Sequence, residues 1–305
     1  MAVAIAVAGF GCSAGGPGVV TYVLVPHPDD EVQAWSLIEN SPDTYEVFVM
    51  LTRGEQSFYC DSPGYDEGAG EARPDPWPEG KWTPTCEAAR MNSFFDFMEG
   101  MAAGDDSLPA SFGYEGVKGP FEARGQEICR YDDGDCVSDL TAEVWTSPEA
   151  SVVWLNLGDG DLTEGEVTWA IETVLANRAA LGVGSELGAG GLIGASYWNG
   201  DGHAGCSDYA HPDHGAVHEV LWHTDFGVGY QAAAVCASDP EVSLIETVTY
   251  DRFDDAFATS GAQRVGAHVV HYGWLLDGSP GYYRGDYDGQ DTDFHRHQHF
   301  WVRFE

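Results

Sequence analysis

The chain has 305 residues, 43% hydrophobic and 12% aromatic, enough to bury a large core. Its 50 acidic residues against 13 basic ones give a formal net charge of −37, and such a surface repels phosphate backbones and anionic lipid heads, which excludes nucleic acid and membrane surfaces as natural partners. No stretch is apolar for long enough to span a bilayer.

In chain order, residues 2–10 form a short apolar run followed by small residues and a Gly-Pro break, the pattern of the end of an export signal. No Lys or Arg precedes the run, and Gly11-Cys12-Ser13 loosely resembles a lipoprotein cleavage box. Residues 1–18 are therefore set apart as a signal remnant or flexible N-terminus, and residues 19–305 as the functional domain. Residues 19–25, VVTYVLV, are a β-branched apolar run and predict a buried strand. Asp29 or Asp30 is placed to cap the helix that Val32, Trp35, Leu37 and Ile38 suggest. A second strand is predicted over 45–51, then a Gly/Pro/Asp-rich loop over 57–84. A helix over about 85–101 follows, with Ala88, Met91, Phe94, Phe95 and Met98 on one face. Residues 104–148 read as irregular. Strands follow at 151–157 and 191–196 with a helix over 164–181 between them, then a helix over 211–222, strands at 230–235 and 242–250, and a helix over 254–272.

Alternating strands and helices imply an α/β fold, a mostly parallel sheet with helices on both faces and long loop insertions on one domain. Ligands of such sheets gather at the C-terminal ends of the strands. Apart from Cys12, the cysteines are Cys60, Cys86, Cys129, Cys136, Cys206 and Cys236. An even set in loop-like surroundings suits disulfides and a secreted or cell-surface protein, and sequence order favours the pairs 60–86, 129–136 and 206–236. No CxxC pair suggests a structural zinc knuckle.

Two clusters carry chemistry. His27-Pro28-Asp29-Asp30 directly follows the first strand, and His211-Pro212-Asp213-His214 follows the fourth. A catalytic zinc takes three nitrogen or oxygen ligands and keeps a position for water. His27 and Asp30, three apart across a strand-to-helix turn, can point inward together, and one histidine of the second cluster would complete the set. Asp29 can then stay off the metal and act as a base. A single such motif could equally be a helix cap with a satisfied histidine; two at two strand ends form a ligand pattern.

The paired PHPDDE and HPDH motifs resemble the PIG-L/LmbE-like superfamily of zinc-dependent de-N-acetylases. Thr52-Arg53-Gly54-Glu55 after the second strand, Arg90 in the following helix and Tyr209 before His211 extend the likeness over roughly residues 19–221. The resemblance implies a Rossmann-like domain, with His27, Asp30 and His214 holding Zn2+ or another divalent transition metal, and Asp29 as general base. It implies that His211 steadies the oxyanion or protonates the leaving amine, that Tyr209 polarises the carbonyl, and that Arg90 contacts substrate. Where family members often carry Glu three residues after this arginine, the chain has Ser93.

Asp159 and Asp161 can meet sugar hydroxyls or simply shape a turn. Trp198, with Tyr197, Trp77 and Trp82, can stack on sugar or pack in the core. His295, His297 and His299 alternate along a strand expected at the sheet edge, where two or three of them could bind a second metal. Asp286, Asp288, Asp291 and Asp293 read as a solvated loop rather than a calcium site. The expected function is removal of acetyl from an N-acetylated amino sugar, small or oligomeric. The alternatives are a metal-dependent amidase on a non-sugar N-acyl amine and an inactive sugar-binding module.

Overall fold

The computed structural model describes residues 18–39, 41, 43–57, 60, 78–123, 128–129, 136–137, 139–197, 211–235, 244–247, 253, 255–256, 259, 268 and 297–304. The elements in order are β1 (Val19–Val25), a 3-10 turn (Asp30–Ala34), α1 (Trp35–Glu39), β2 (Thr44–Met50) and α2 (Pro84–Ala102). Next come β3 (Gly113–Glu122), β4 (Ile128–Cys129), β5 (Cys136–Val137), β6 (Asp139–Thr146) and β7 (Ala150–Trp154). After these lie α3 (Glu164–Ala176), α4 (Arg178–Leu181), β8 (Gly188–Gly194), α5 (Pro212–His223), β9 (Tyr230–Val235), β10 (Leu244–Thr247) and β11 (His297–Phe304). Nine strands form one sheet in the order β10-β11-β9-β8-β1-β2-β7-β6-β3. Its central strands β7, β2, β1, β8 and β9 pair in parallel. Counted among themselves they run 3-2-1-4-5, a Rossmann-like order that reverses between β1 and β8.

Both sheet faces are covered, which is why the central strands read as continuous apolar runs. On β1, Val20, Tyr22 and Leu24 pack under α3 and α5 with Val167, Ile171, Val217 and Leu221. Val23 and Val25 point the other way, toward Trp35 and Ile38 of α1 and Phe94, Phe97 and Met98 of α2. β2 divides likewise, Val47 and Val49 against Phe48 and Met50. The helix starts are fixed locally: Thr83 accepts from the Cys86 amide with Pro84 in the first turn, and Thr163 and Glu166 cap each other's amides at α3.

The structure corrects four expectations. Residues 104–148 hold β3 and β6, an antiparallel extension beyond β7; β3 is an edge strand exposed along most of its length, so it lacks the apolar pattern that marks a strand. The final strand is not at the edge, because β11 inserts antiparallel between β9 and β10. The buried face of α2 includes Phe97, Met101, Arg90 and Ser93, while Met91 and Phe95 are partly buried; the helix is covered on a second side by Phe253, Ala256 and His268. The side chain of Asp29 does not cap the turn that follows it. Cys60 and Cys86 are bridged, and Cys129 and Cys136 stand opposite each other in the β4–β5 pair. The other cysteines, the segment 1–17, the Asp286–Asp293 loop and most of the helix expected over 254–272 lie outside the described residues. Among the described residues no helix is long and apolar enough to cross a membrane.

Glu46 is out of place in this core. It lies on β2 on the same side as Phe48 and Met50 and is 5% exposed. Burial, with the charge of Asp105 added, pushes its carboxyl well above the ordinary 4.5. The folded chain therefore keeps a proton that the unfolded chain has released, so stability falls as pH rises from the unfolded value toward the folded one. Glu46→Gln should raise the urea midpoint at pH 7, and the gain should disappear below about pH 4, where both states are protonated. A gain independent of pH would show that burial of the charge is not its source.

Candidate metal centre

The candidate site lies at the C-terminal ends of the parallel strands, where the order reverses. β1 ends at Val25 and delivers His27, Asp29 and Asp30, all buried. The turn between them is tight. The Asp30 amide donates to the His27 carbonyl at 3.0 Å, and the His27 amide donates to Asp30 Oδ2 at 3.0 Å. Asp29 sits at φ 151°, ψ −16°, a conformation that a non-glycine residue keeps only when its surroundings enforce it.

Asp30 is the point where the two sequence clusters meet. Its Oδ2 lies 2.8 Å from His27 Nδ1 and 3.1 Å from His214 Nε2, and its Oδ1 accepts from Gln33 Nε2 at 2.8 Å. Burial alone would raise the Asp30 carboxyl, but His214 and His27, by charge and hydrogen bond, hold it well below the ordinary range. His214 Nδ1 is 3.0 Å from the Tyr197 carbonyl, which can only accept, so Nδ1 carries the proton. In the neutral ring, Nε2 then turns a lone pair toward the Asp30 carboxylate. Two lone pairs 3.1 Å apart need a cation between them, either a proton or a metal ion.

His27 is braced on its other side. Nε2 lies 2.9 Å from Asp213 Oδ2 and 3.0 Å from Asp159 Oδ1. Burial would lower its pKa, but the charge of Asp159 and hydrogen bonds to Asp159, Asp213 and Asp30 hold it well above 6.5. Asp213 also accepts from the amides of Gly160 at 2.8 Å and Leu162 at 3.0 Å, and Asp159 accepts from the Gln56 amide at 2.6 Å. The loop after β7 is thus tied to α5 and to the chain after β2.

His211 caps α5: its Nδ1 accepts from the Asp213 amide at 3.4 Å, which leaves the ring proton on Nε2. Its ring centroid is 4.7 Å from that of His27 and 5.5 Å from that of His214. Burial, then the charges of His27 and His214, lower its pKa to about 4, so it is neutral at pH 7.

Arg90 reaches Asp29 from α2. NH1 donates to Oδ2 at 3.1 Å and NH2 to Oδ1 at 2.9 Å, and both side chains are 2% exposed. Arg90, expected on substrate, is therefore a partner of Asp29 in this structure. Gly54 makes the reach possible: at φ +64°, a Cβ there would stand 2.4 Å from Arg90 Nε. Glu55, next in the chain, is buried, and that burial, with the charge of Asp159, raises its carboxyl to about 7.

The structure thus brings together His27, Asp30, His214, His211, Asp29 and Asp159, with Asp159 on His27. Tyr209 and Trp198 lie outside the described residues. Sequence reasoning gave no role to Asp213, Gln33 or Glu55, although Asp213 stands inside the HPDH motif. Among the described residues two overlapping groups, His27/His211/His214 and His27/Asp159/His211/Asp213, offer donor atoms within 4.8 Å of one another, so this buried His/Asp group can hold a metal ion. Comparison with family models, curated proteins and solved structures returned no match.

The Arg90–Asp29 pair should behave as a unit. Arg90→Met strips a buried carboxylate of its guanidinium and should lower stability by about 3–5 kcal/mol. Asp29→Asn in that background should recover a large part of the loss, measured as a double-mutant cycle by urea unfolding. Additive losses would show that the pair is not what holds the two side chains.

Proposed function

We propose that the chain is a zinc-dependent N-deacetylase that hydrolyses the acetamide of an N-acetylated amino sugar. The observation that carries this reading is the meeting of the two strand-end motifs on Asp30, with a second buried carboxylate, Asp29, beside it and held by a different partner. Donors about 2.0–2.2 Å from a tetrahedral ion stand about 3.3–3.6 Å apart. The 2.8 and 3.1 Å separations around Asp30 Oδ2 are within a few tenths of an ångström of that spacing. His27 Nδ1, Asp30 and His214 Nε2 would hold the ion, because this choice leaves His27 Nε2 and His214 Nδ1 on partners that orient the rings. Of the two groups with donors within 4.8 Å, one would draw on Asp213, whose oxygens already accept two backbone amides, and the other on His211, whose Nδ1 already accepts the Asp213 amide.

When bound, a divalent ion there supplies a Lewis acid and lowers the pKa of water from 15.7 to about 7. Asp29 accepts the proton of the attacking water and can pass it to the departing amine. Arg90 keeps Asp29 ionised and aimed, since its two N–H donors favour the charged carboxylate. His211, neutral with its proton on Nε2, donates to the carbonyl oxygen as negative charge develops there. The Cys60–Cys86 bridge supports an exported enzyme.

The test is release of acetate from N-acetylglucosamine and its oligomers by zinc-loaded protein. Asp29→Asn should lower kcat by ~10²–10⁴ with the metal retained, whereas His214→Ala should lose metal and activity together. Turnover of non-sugar N-acyl amines alone would move the chain to the amidase reading, and sugar binding without acetate release would leave a binding module.

A further inference from the structure

Behind the candidate centre, Ser93 of α2, His268 and Glu31 form a second polar chain that the proposed chemistry does not use. Ser93, His268 and Glu31 are each fully buried. Ser93 Oγ lies 2.7 Å from His268 Nδ1 and accepts the His268 amide at 3.3 Å, and His268 Nε2 is hydrogen-bonded to Glu31 Oε1. With the neutral ring and an ionised Glu31, the Ser93 hydroxyl donates to Nδ1 and Nε2–H donates to the Glu31 carboxylate. The ring is stacked on Phe97 at 4.5 Å, 11° from parallel. Serine, histidine and glutamate in this order have the connectivity of a nucleophilic triad, but no substrate reaches a serine with no exposed surface, so the chain does not act on substrate.

Its effect is on the turn. Asp29, Asp30 and Glu31 are three consecutive buried acids, and each has its own counterpart: Arg90 for Asp29, His27 and His214 for Asp30, His268 for Glu31. A buried carboxylate that loses its partner costs several kcal/mol. The direct relief is for the Asp30–Ala34 turn to swing Glu31 toward water, which carries Asp30 with it. The strained Asp29 backbone marks a turn held by its surroundings.

We propose that His268 is a positioning residue that, through Ser93 and Glu31, fixes the Asp29–Glu31 turn and thereby sets the metal affinity of the candidate centre. The inference rests on the metal-centre reading above. Its test is the zinc dissociation constant of the full chain at fixed pH, by competition with a chromophoric chelator, with far-UV circular dichroism and Tm recorded for each variant.

His268→Leu should weaken zinc about 10–100-fold, the usual effect of losing an outer partner of a ligand. His268→Gln, whose amide can donate to Glu31 and accept from Ser93, should restore most of the affinity. A fall in Tm with an unchanged zinc constant would make His268 a packing residue and overturn the proposal. If His268→Leu does not fold, Ser93→Ala removes only the two hydrogen bonds to His268, with little change of volume, and should still weaken zinc by about two- to tenfold; an unchanged constant there overturns it equally. Wild-type protein that binds no zinc would instead sink the metal-centre reading, so the two failures are distinguishable.

Discussion

The interior of this protein has to accommodate five carboxylates, Asp29, Asp30, Glu31, Asp159 and Asp213, each no more than 3% exposed, in a chain that already carries a net charge of −37. Taking a carboxylate out of water costs several kcal/mol unless positive charge and hydrogen bonds replace the lost solvent. Around them stand one guanidinium, three imidazoles and a set of backbone amides. His27 has the most to do, since it touches Asp30 on one ring nitrogen and both Asp159 and Asp213 on the other. The surrounding geometry, from the loop after β7 to the start of α5, is what brings hydrogen-bond donors to these acids. A divalent ion in the same place would supply positive charge to the same carboxylates.

The fold supplies the crevice by topology. β1 and β8 are neighbours at the reversal of strand order, where ligands of such sheets gather, and Asp30 after β1 meets His214 at the start of α5 there. The chain after β2 lets Arg90 pass at Gly54, and the chain after β7 brings Asp159 onto His27. The motifs are short because each strand end has to contribute only a few side chains.

How much could be read in advance depended on whether a signal is local. β1 and β9 were legible to the residue, since both are apolar runs buried on two faces. The two histidine motifs were legible because the side chains that meet are bunched at strand ends. β3 was hidden by its exposure, which removes the alternation that identifies a half-buried strand. The place of β11 was hidden because pairing order is a property of the whole sheet. Arg90 could be noticed but not assigned, since its partner lies 61 residues away and the path between them depends on a missing Cβ at Gly54. Glu31 and His268 were further still, 237 residues apart and hydrogen-bonded to each other.

The insertion of β11 between β9 and β10 gives the sheet a history in time. β9 is in place once residue 235 has been made, but the strand that covers its free side starts about 60 residues later. At about 5–20 residues per second on the ribosome, that edge waits roughly 3–12 seconds with its amides and carbonyls open. Tyr230–Val235 is apolar except for Gln231 and almost wholly buried in the finished sheet, and an uncovered edge of that kind invites pairing with a neighbouring nascent chain. Crowding of ribosomes on one message is therefore the circumstance in which this fold is most exposed to error, and the stretch between the two strands sets how long that exposure lasts.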